Sequence, residues 1–343
     1  MSTRYASVHN RTTLSGPGDA RPTALQIISD ENLTNALSDK TILITGVSSG
    51  IGVETLRALH ATGAHCIGTV RSLSAGQSVV SSILASNPNG GAISLVEIEL
   101  GSLDSVHRGA AEILRVCSGD LNIMICNAGI MAPPLRRTKD GNESQFGVNH
   151  LSHFLLFNLL TSTLLSSATP EFPSRVVTVS SLGHRESTVR LHDPNFLAQD
   201  GNEYNKWLGY GSSKTANIWM ANYITRHYSA QHLHGISLHP GLIFTNLSRE
   251  MSEEEAAPFM ADEAKRVSKS VEQGAATSVL VAVGKEWRDK GGVWVSDCQI
   301  QEKWDGKKGL LEDDGYAEWA FDEAGEEELW RVSREMVGLK AGE

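Results

Sequence analysis

Tyr210 and Lys214 stand four residues apart, a spacing that puts both side chains on one face of a helix. A free phenol titrates near pH 10 and is a poor acid–base group at neutral pH, but a nearby ammonium favours the phenolate. Lowering its pKa by about two or three units takes roughly 3–4 kcal/mol of differential stabilisation. A close, partly desolvated Lys, helped by other charge at the site, supplies stabilisation of that order and yields a proton donor or acceptor matched to physiological pH. Upstream, Ser180-Ser181 closes an apolar run that reads as a strand, so the two hydroxyls point to opposite faces and compete for a place beside the phenol.

A second constellation, Thr45-Gly46-Val47-Ser48-Ser49-Gly50-Ile51-Gly52, follows a strand-like run and opens into the helical segment Val53–His60. Gly46 permits a tight turn, Gly50 lets backbone approach a diphosphate, and Gly52 lets helix and strand pack closely. The helix N-terminus adds free N–H groups and the positive end of its dipole. A glycine-rich loop alone is weak evidence. Placed after the first strand and before the first helix, it predicts nucleotide binding rather than a merely structural turn.

The elements that must carry these groups are legible as alternation. Apolar, β-rich runs at Thr41–Thr45, His65–Val70, Ile93–Ile98, Leu121–Cys126, Arg175–Ser180, Gly235–His239 and Val293–Val295 alternate with helix-length amphipathic segments. Runs apolar throughout suit strands covered on both faces, and their repeated pairing with helices indicates a parallel, doubly wound sheet. The expected fold is therefore α/β: a single-domain, Rossmann-type, seven-stranded parallel sheet over 39–297, with extensions at both ends. Residues 1–38 read as a loose polar arm with a short helix beginning at Ala24. Residues 298–343 read as an acidic, Trp-containing extension whose last helix, Glu326 to Val337, sets Leu329, Trp330, Val332 and Met336 on one face.

With 30 Lys plus Arg against 40 Asp plus Glu, the formal charge is −10, and no long basic run offers a footprint for nucleic acid. Cys66, Cys117, Cys126 and Cys298 form no CxxC pair, and Cys66 and Cys126 fall in strand-like runs, so buried free thiols and a reducing, cytoplasmic setting are expected. The longest greasy stretch, Leu151 to Leu165, is short and interrupted by Ser152, His153, Asn158 and Thr161, so no transmembrane segment is expected. The N-terminus has no hydrophobic signal core. Its first 18 residues, with Arg4, Arg11, hydroxyls and no acid, faintly resemble a mitochondrial transit peptide. His150, His153, His184 and His192 form no recognisable ligand set, and no metal is expected.

The GxxxGxG spacing with its preceding Thr resembles the short-chain dehydrogenase/reductase superfamily, and further landmarks agree. Asn127-Ala128-Gly129 is similar to its NAG motif, Tyr210-Gly211-Ser212-Ser213-Lys214 to its YxxxK motif, and Pro240-Gly241 follows the sixth strand as expected. The resemblance spans about Lys40 to Val295. Asp297-Cys298 and Leu329-Trp330…Ser333 resemble the retinol-dehydrogenase-like group and its fungal relatives. The resemblance implies catalytic roles for Tyr210, Lys214, Ser181 and Asn149, the last holding a water that leads to the Lys. It implies a cofactor site of Gly46, Ser48, Ser49, Gly50, Ile51, Gly52, Arg71, Glu99, Leu100, Asn127, Ala128, Gly129, Tyr210, Lys214, Pro240, Gly241 and Thr245. It also allows a homodimer through the helices carrying Asn149 and Tyr210; the apolar Phe154–Leu160 segment suits such a contact or ordinary core packing equally.

Cofactor choice follows from charge. In this family an acid at the end of the second strand selects NAD(H); here Val70 occupies that place and Arg71 follows, where a guanidinium fork can bind the 2′-phosphate of NADP(H). Two long segments, 182–206 and 242–268, carry Phe196, Leu197, Trp207, Phe244, Leu247, Met251, Phe259 and Met260 around the expected cleft. They are read either as loops pinned to the domain or as the roof of an apolar substrate pocket. Ser181, His184 and Phe244 are the substrate-contact candidates, with a plain loop histidine the equal alternative for His184. The expected activity is NADP(H)-dependent hydride transfer to or from a medium-sized hydrophobic ketone or alcohol, with fungal specialised metabolism a weaker inference. The rivals are a non-catalytic NADP(H)-sensing protein, which typically lacks the Tyr or Lys, and an epimerase or dehydratase, whose branch usually carries TGxxGxxG.

Overall fold

A computed structural model describes residues 4–197, 204–309 and 311–340. Eight strands form one sheet: β1 Thr41–Thr45, β2 His65–Val70, β3 Ile93–Glu97, β4 Ile123–Cys126, β5 Ser174–Val179, β6 Leu233–His239, β7 Trp294–Ser296 and β8 Gln299–Ile300. Their order is β3-β2-β1-β4-β5-β6-β7-β8. The seven strands expected are present and parallel; the eighth, only two residues long, pairs antiparallel with β7. It exists because Asp297 and Cys298 both adopt left-handed backbone, φ 52° and 60°, and turn the chain back on itself.

The order reverses between β1 and β4, the switch point outside whose carboxyl ends ligands bind in open α/β sheets. Register aligns those ends: Thr45 lies opposite Thr69, and Ile44 opposite Ile125. Strands β1, β4, β5 and β6 are buried along their whole length, which explains their mostly apolar or small character, Arg175, His234 and His239 apart. Alternate residues feed opposite layers. Ile42 and Ile44 join Ile27, Leu56 and Val279 on one face, and Leu43 joins Ile113, Phe154 and Trp219 on the other.

The N-terminal extension departs from expectation. The N-terminal segment is not loose: Tyr5, Leu14 and Arg21 are buried, and Tyr5 donates to Asp30 at 2.9 Å. Its anchors lie far along the chain, where local polarity gives no sign of them. Arg21 donates to the carbonyl of Val267 at 2.7 Å, and Gln273 accepts from the N–H of Gly18. The last helix, Glu323–Met336, begins a turn earlier than expected because Asp322 caps it through Gly325 N–H. Leu329 and Trp330 are buried, whereas Val332 and Met336 are half-buried. Trp330 stacks on Tyr223 at 3.8 Å and meets Phe154 edge-on at 4.7 Å. The Phe154–Leu160 segment expected to allow a dimer is thus covered by the chain itself, with Phe154, Phe157 and Leu160 fully buried.

All four cysteines are free and buried. Among the described residues, no helix is long and apolar enough to cross a membrane.

Candidate active site

The glycine loop is held flat against the sheet by its neighbours. Gly46 and Val47 donate to the carbonyl of Thr69, and Thr45 Oγ1 accepts from the N–H groups of Asn127 and Ala128, both at 3.0 Å. Asn127 Nδ2 returns a bond to the Thr45 carbonyl at 2.8 Å. Close approach makes two glycines obligatory: a Cβ on Gly46 would stand 2.8 Å from that of Ala128, and one on Gly52 would stand 2.2 Å from the Gly46 carbonyl oxygen. The N–H groups of Ser49, Gly50 and Ile51, at the start of helix Ile51–His60, find no acceptor among the described residues. They line one end of a cavity of about 1000 Å³. Unsatisfied donors at a helix N-terminus fit the diphosphate of a nicotinamide dinucleotide. Arg71, exposed and without a hydrogen bond or ion pair among the described residues, lines the same cavity just past β2, as do Ser48, Glu99, Leu100, Gly241 and Thr245. Glu99 also accepts from Gly101 N–H at 2.9 Å, so its carboxylate is partly committed to its own turn.

Across the cavity, helix Lys206–Tyr228 presents Tyr210 and Lys214 one turn apart. Asn205 caps this helix, accepting from Trp207 and Leu208 N–H. Tyr210 lies beside Ser181, both against Gly183, and Ser181 Oγ accepts from Gly183 N–H at 3.1 Å. Ser180 is turned the other way and donates to the Lys214 carbonyl at 2.7 Å. The competition between the two serines is therefore decided by strand alternation, with Ser181 on the cavity side. Lys214 donates to the Val179 carbonyl at 3.0 Å, and its ammonium lies 5.6 Å from the Tyr210 ring centre.

Burial dominates both titrations. It pushes the Tyr210 phenol up to about 12, and the Lys214 ammonium down to about 8. The protein groups alone do not bring the phenol down to working pH: burial raises it and Ser181 is the group that opposes the rise.

Asn149 sits in a short π-helical stretch, Gly147–Leu151. Its Oδ1 accepts from Ile130 N–H at 2.8 Å, while Nδ2 donates to the Ile130 carbonyl and to Ser213 Oγ, both at 3.0 Å. What the side chain does here is pin the loop after β4 to the helix of Tyr210. His153 fixes the same corner, bonded to the Asn149 carbonyl and to Thr45 Oγ1.

His184 is not a pocket residue. It is fully buried, its Nδ1 bonded to the Ser181 carbonyl at 2.7 Å and its Nε2 accepting from Ala317 N–H at 2.9 Å. Burial lowers its pKa to about 4, so the neutral ring ties the C-terminal extension to the strand end bearing Ser181. The two long loops also differ. Phe244, Leu247, Met251, Phe259 and Met260 all line the cavity, as do Trp207 and Leu208. Phe196 instead packs edge-on against Tyr204 at 5.2 Å, and Leu197 is exposed, so this part of 182–206 is pinned to the domain away from the cavity. Residues 198–203 lie outside the described residues.

Sequence reasoning missed a charged stretch of the lining: Arg11 from the N-terminal segment, Lys269 after the 242–268 loop, Asp297 after β7 and Asp314 from the C-terminal extension. Burial and then Asp297 hold the Asp314 carboxyl up at about 7. Against the pull of burial, Lys269 keeps Asp297 well below the usual carboxylate range. Only Asp297, noted for its resemblance to fungal relatives, carried any signal.

A profile described as short chain dehydrogenase matches residues 40–191. The chain is 47% identical over 325 residues to "Short-chain dehydrogenase/reductase prx1" of Penicillium roqueforti, covering 94% of this chain and 92% of that one. It is 40% identical to "Oxidoreductase calI" of Penicillium decumbens, covering 98% of both. Among solved structures, an uncharacterized protein from Mycobacterium paratuberculosis superposes with a TM-score of 0.65 at 29% identity, covering 88% of this chain and 94% of its own.

Proposed function

The chain belongs to the short-chain dehydrogenase/reductase family, and from that premise we propose that it is an NADP(H)-dependent carbonyl reductase or alcohol dehydrogenase acting on a medium-sized, largely hydrophobic substrate. The observation that carries this reading is Tyr210 set beside Ser181 on the wall of a cavity that the glycine loop also lines, with the Lys214 ammonium buried 5.6 Å from the phenol ring. The nicotinamide cofactor, when bound, supplies or takes up the hydride. In the reductive direction Tyr210 Oη gives its proton to the substrate oxygen, and Ser181 Oγ holds that oxygen in place. Lys214 keeps positive charge beside the phenol, favouring the phenolate left behind, and Asn149 keeps the loop after β4 seated against the helix that bears both residues.

NADP(H) rather than NAD(H) rests on Arg71 with Val70, not an acid, at the end of β2. A carboxylate at that place would repel a 2′-phosphate. The apolar roof formed by Phe244, Leu247, Met251 and Phe259 supports a hydrophobic substrate body, and the Penicillium source of the similar chains supports a role in fungal specialised metabolism.

A panel of ketones graded by size and polarity, assayed with NADPH and NADH, tests the reading. The expected result is a kcat/KM that rises with apolar bulk, prefers NADPH, and loses its dependence on bulk in Phe244→Ala. Highest activity on a small, strongly polar carbonyl compound overturns the substrate assignment.

A further inference from the structure

The charged stretch of the cavity wall is accounted for neither by the glycine loop nor by the Tyr–Lys pair. Lys269 pairs with Asp297 at 2.6 Å, and Arg11 pairs with Asp314 at 2.6 Å. All four line the same cavity as Tyr210 and Ser181. The Lys269 side chain is 3% exposed and that of Asp297 13%. Burying paired charges carries a desolvation cost that well-packed apolar residues of similar volume avoid, so such a wall does little for stability.

Its construction is also costly. Asp297 and Cys298 form a two-residue turn with φ of 52° and 60°, a conformation that suits Asn-Gly and strains other side chains. Arg11 reaches the wall only because its segment is strapped onto the 242–268 loop: the Arg266 guanidinium donates to the Arg11 carbonyl, and Arg21 donates to that of Val267. Asp314 comes from the opposite end of the sequence.

We propose that this wall selects the substrate by binding an uncharged oxygen function, a hydroxyl or a carbonyl, carried on the apolar body away from the carbonyl that reacts. The inference rests on the reductase reading above and deepens it. The quartet holds two cations and two carboxyl groups, already matched. An incoming carboxylate would face both acids, and an incoming ammonium both bases. A neutral oxygen meets neither penalty. The Arg11 guanidinium has five N–H donors and uses two of them, on the Leu311 carbonyl and Asp314, so it can donate to such an oxygen without giving up its pair.

The test compares 1-decalone with the same skeleton bearing a hydroxyl, and then a carboxylate, on the far ring. Turnover with NADPH is measured alongside binding by calorimetry in the presence of NADPH. For the wild-type chain, kcat/KM and affinity should both favour the hydroxy-ketone by roughly tenfold or more over the plain ketone, mainly through KM. In Arg11→Gln/Asp314→Asn that ratio should collapse towards one, with NADPH affinity within about twofold serving as the check on folding. Arg11→Lys should restore part of it. Wild-type preference for the plain ketone or the carboxylate, or a ratio unchanged in the double variant, overturns the proposal. Discrimination in binding without turnover of any ketone would leave this wall standing and overturn the reductase reading instead.

Discussion

Two parts of the cavity wall, the glycine loop and the charged stretch, are built in opposite ways. At the glycine loop, the groups that touch come from successive turns at the tips of neighbouring strands: Thr45 binds Asn127 and Ala128, and Gly46 binds Thr69. Backbone geometry does most of the work, and side chains are small because anything larger would collide. Along the charged wall, Arg11 meets Asp314 and Arg21 meets Val267, contacts that join remote parts of the chain through side chains. A surface set by backbone tolerates little variation and suits a ligand common to a whole family. A surface assembled from extensions can change residue by residue without disturbing the sheet, which suits a substrate particular to one enzyme.

The sharpest way to break this comparison is to remove the chemistry and leave both parts intact. Tyr210→Phe should cut kcat by about 10²–10⁴-fold while NADPH affinity stays within a few-fold. Retention of more than about a tenth of the rate would mean that another group moves the proton. Lys214→Ala should lose turnover and cofactor affinity together, since its ammonium stands beside the phenol and the loop at Gly129; normal NADPH binding in that variant would confine the lysine to the proton step.

The extension-built region can be tested through its largest contact. Trp330→Ala should lower stability by about 3–5 kcal/mol, read by denaturant unfolding, because it uncovers Phe154 and Phe157. The same variant should associate in sedimentation experiments, as the uncovered helix face seeks a partner; a monomeric variant of unaltered stability would show that the C-terminal helix is an ornament. On the cofactor side, Arg71→Ala should weaken NADPH binding by roughly 10- to 150-fold, equivalent to about 1.5–3 kcal/mol, and leave NADH binding nearly unchanged. Equal losses for both would remove Arg71 from the 2′-phosphate.

The smallest expected effect is on pH dependence. His150 is buried, bonded to Ser333 of the last helix, and burial lowers its pKa to about 3. Its folded value lies below the unfolded value near 6.5, so the unfolded chain binds the extra proton. The stability it contributes is complete above pH 6.5 and is lost as pH falls towards 3, by about 1 kcal/mol over the first unit or so. His150→Gln should flatten the slope of unfolding free energy between pH 6.5 and 5; an unchanged slope would assign the acid sensitivity to His153, His184 and His239.

Much of the molecule was determined by sequence alone, and the reason is locality. Strand and helix periods, the turn after β1 and the Tyr210–Lys214 spacing are properties of short segments, and the right-handed winding of parallel strands then brings their ends together. The seven parallel strands and the cavity positions of the glycine loop, Ser181, Tyr210 and Lys214 follow from these. Tertiary structure alone decided that His184 is a tether, that Phe196 turns away, and that burial raises the phenol. It alone decided that a polar N-terminal segment becomes a wall of the site. The anchors of its Arg11 and Arg21 side chains include carbonyls and a carboxylate more than two hundred residues distant, and composition carries no record of a partner at that separation. Polarity reads as exposure until the matching charge is seen beside it: the Arg11 guanidinium is an ordinary surface group in the sequence and a specificity element only once folding sets Asp314 against it.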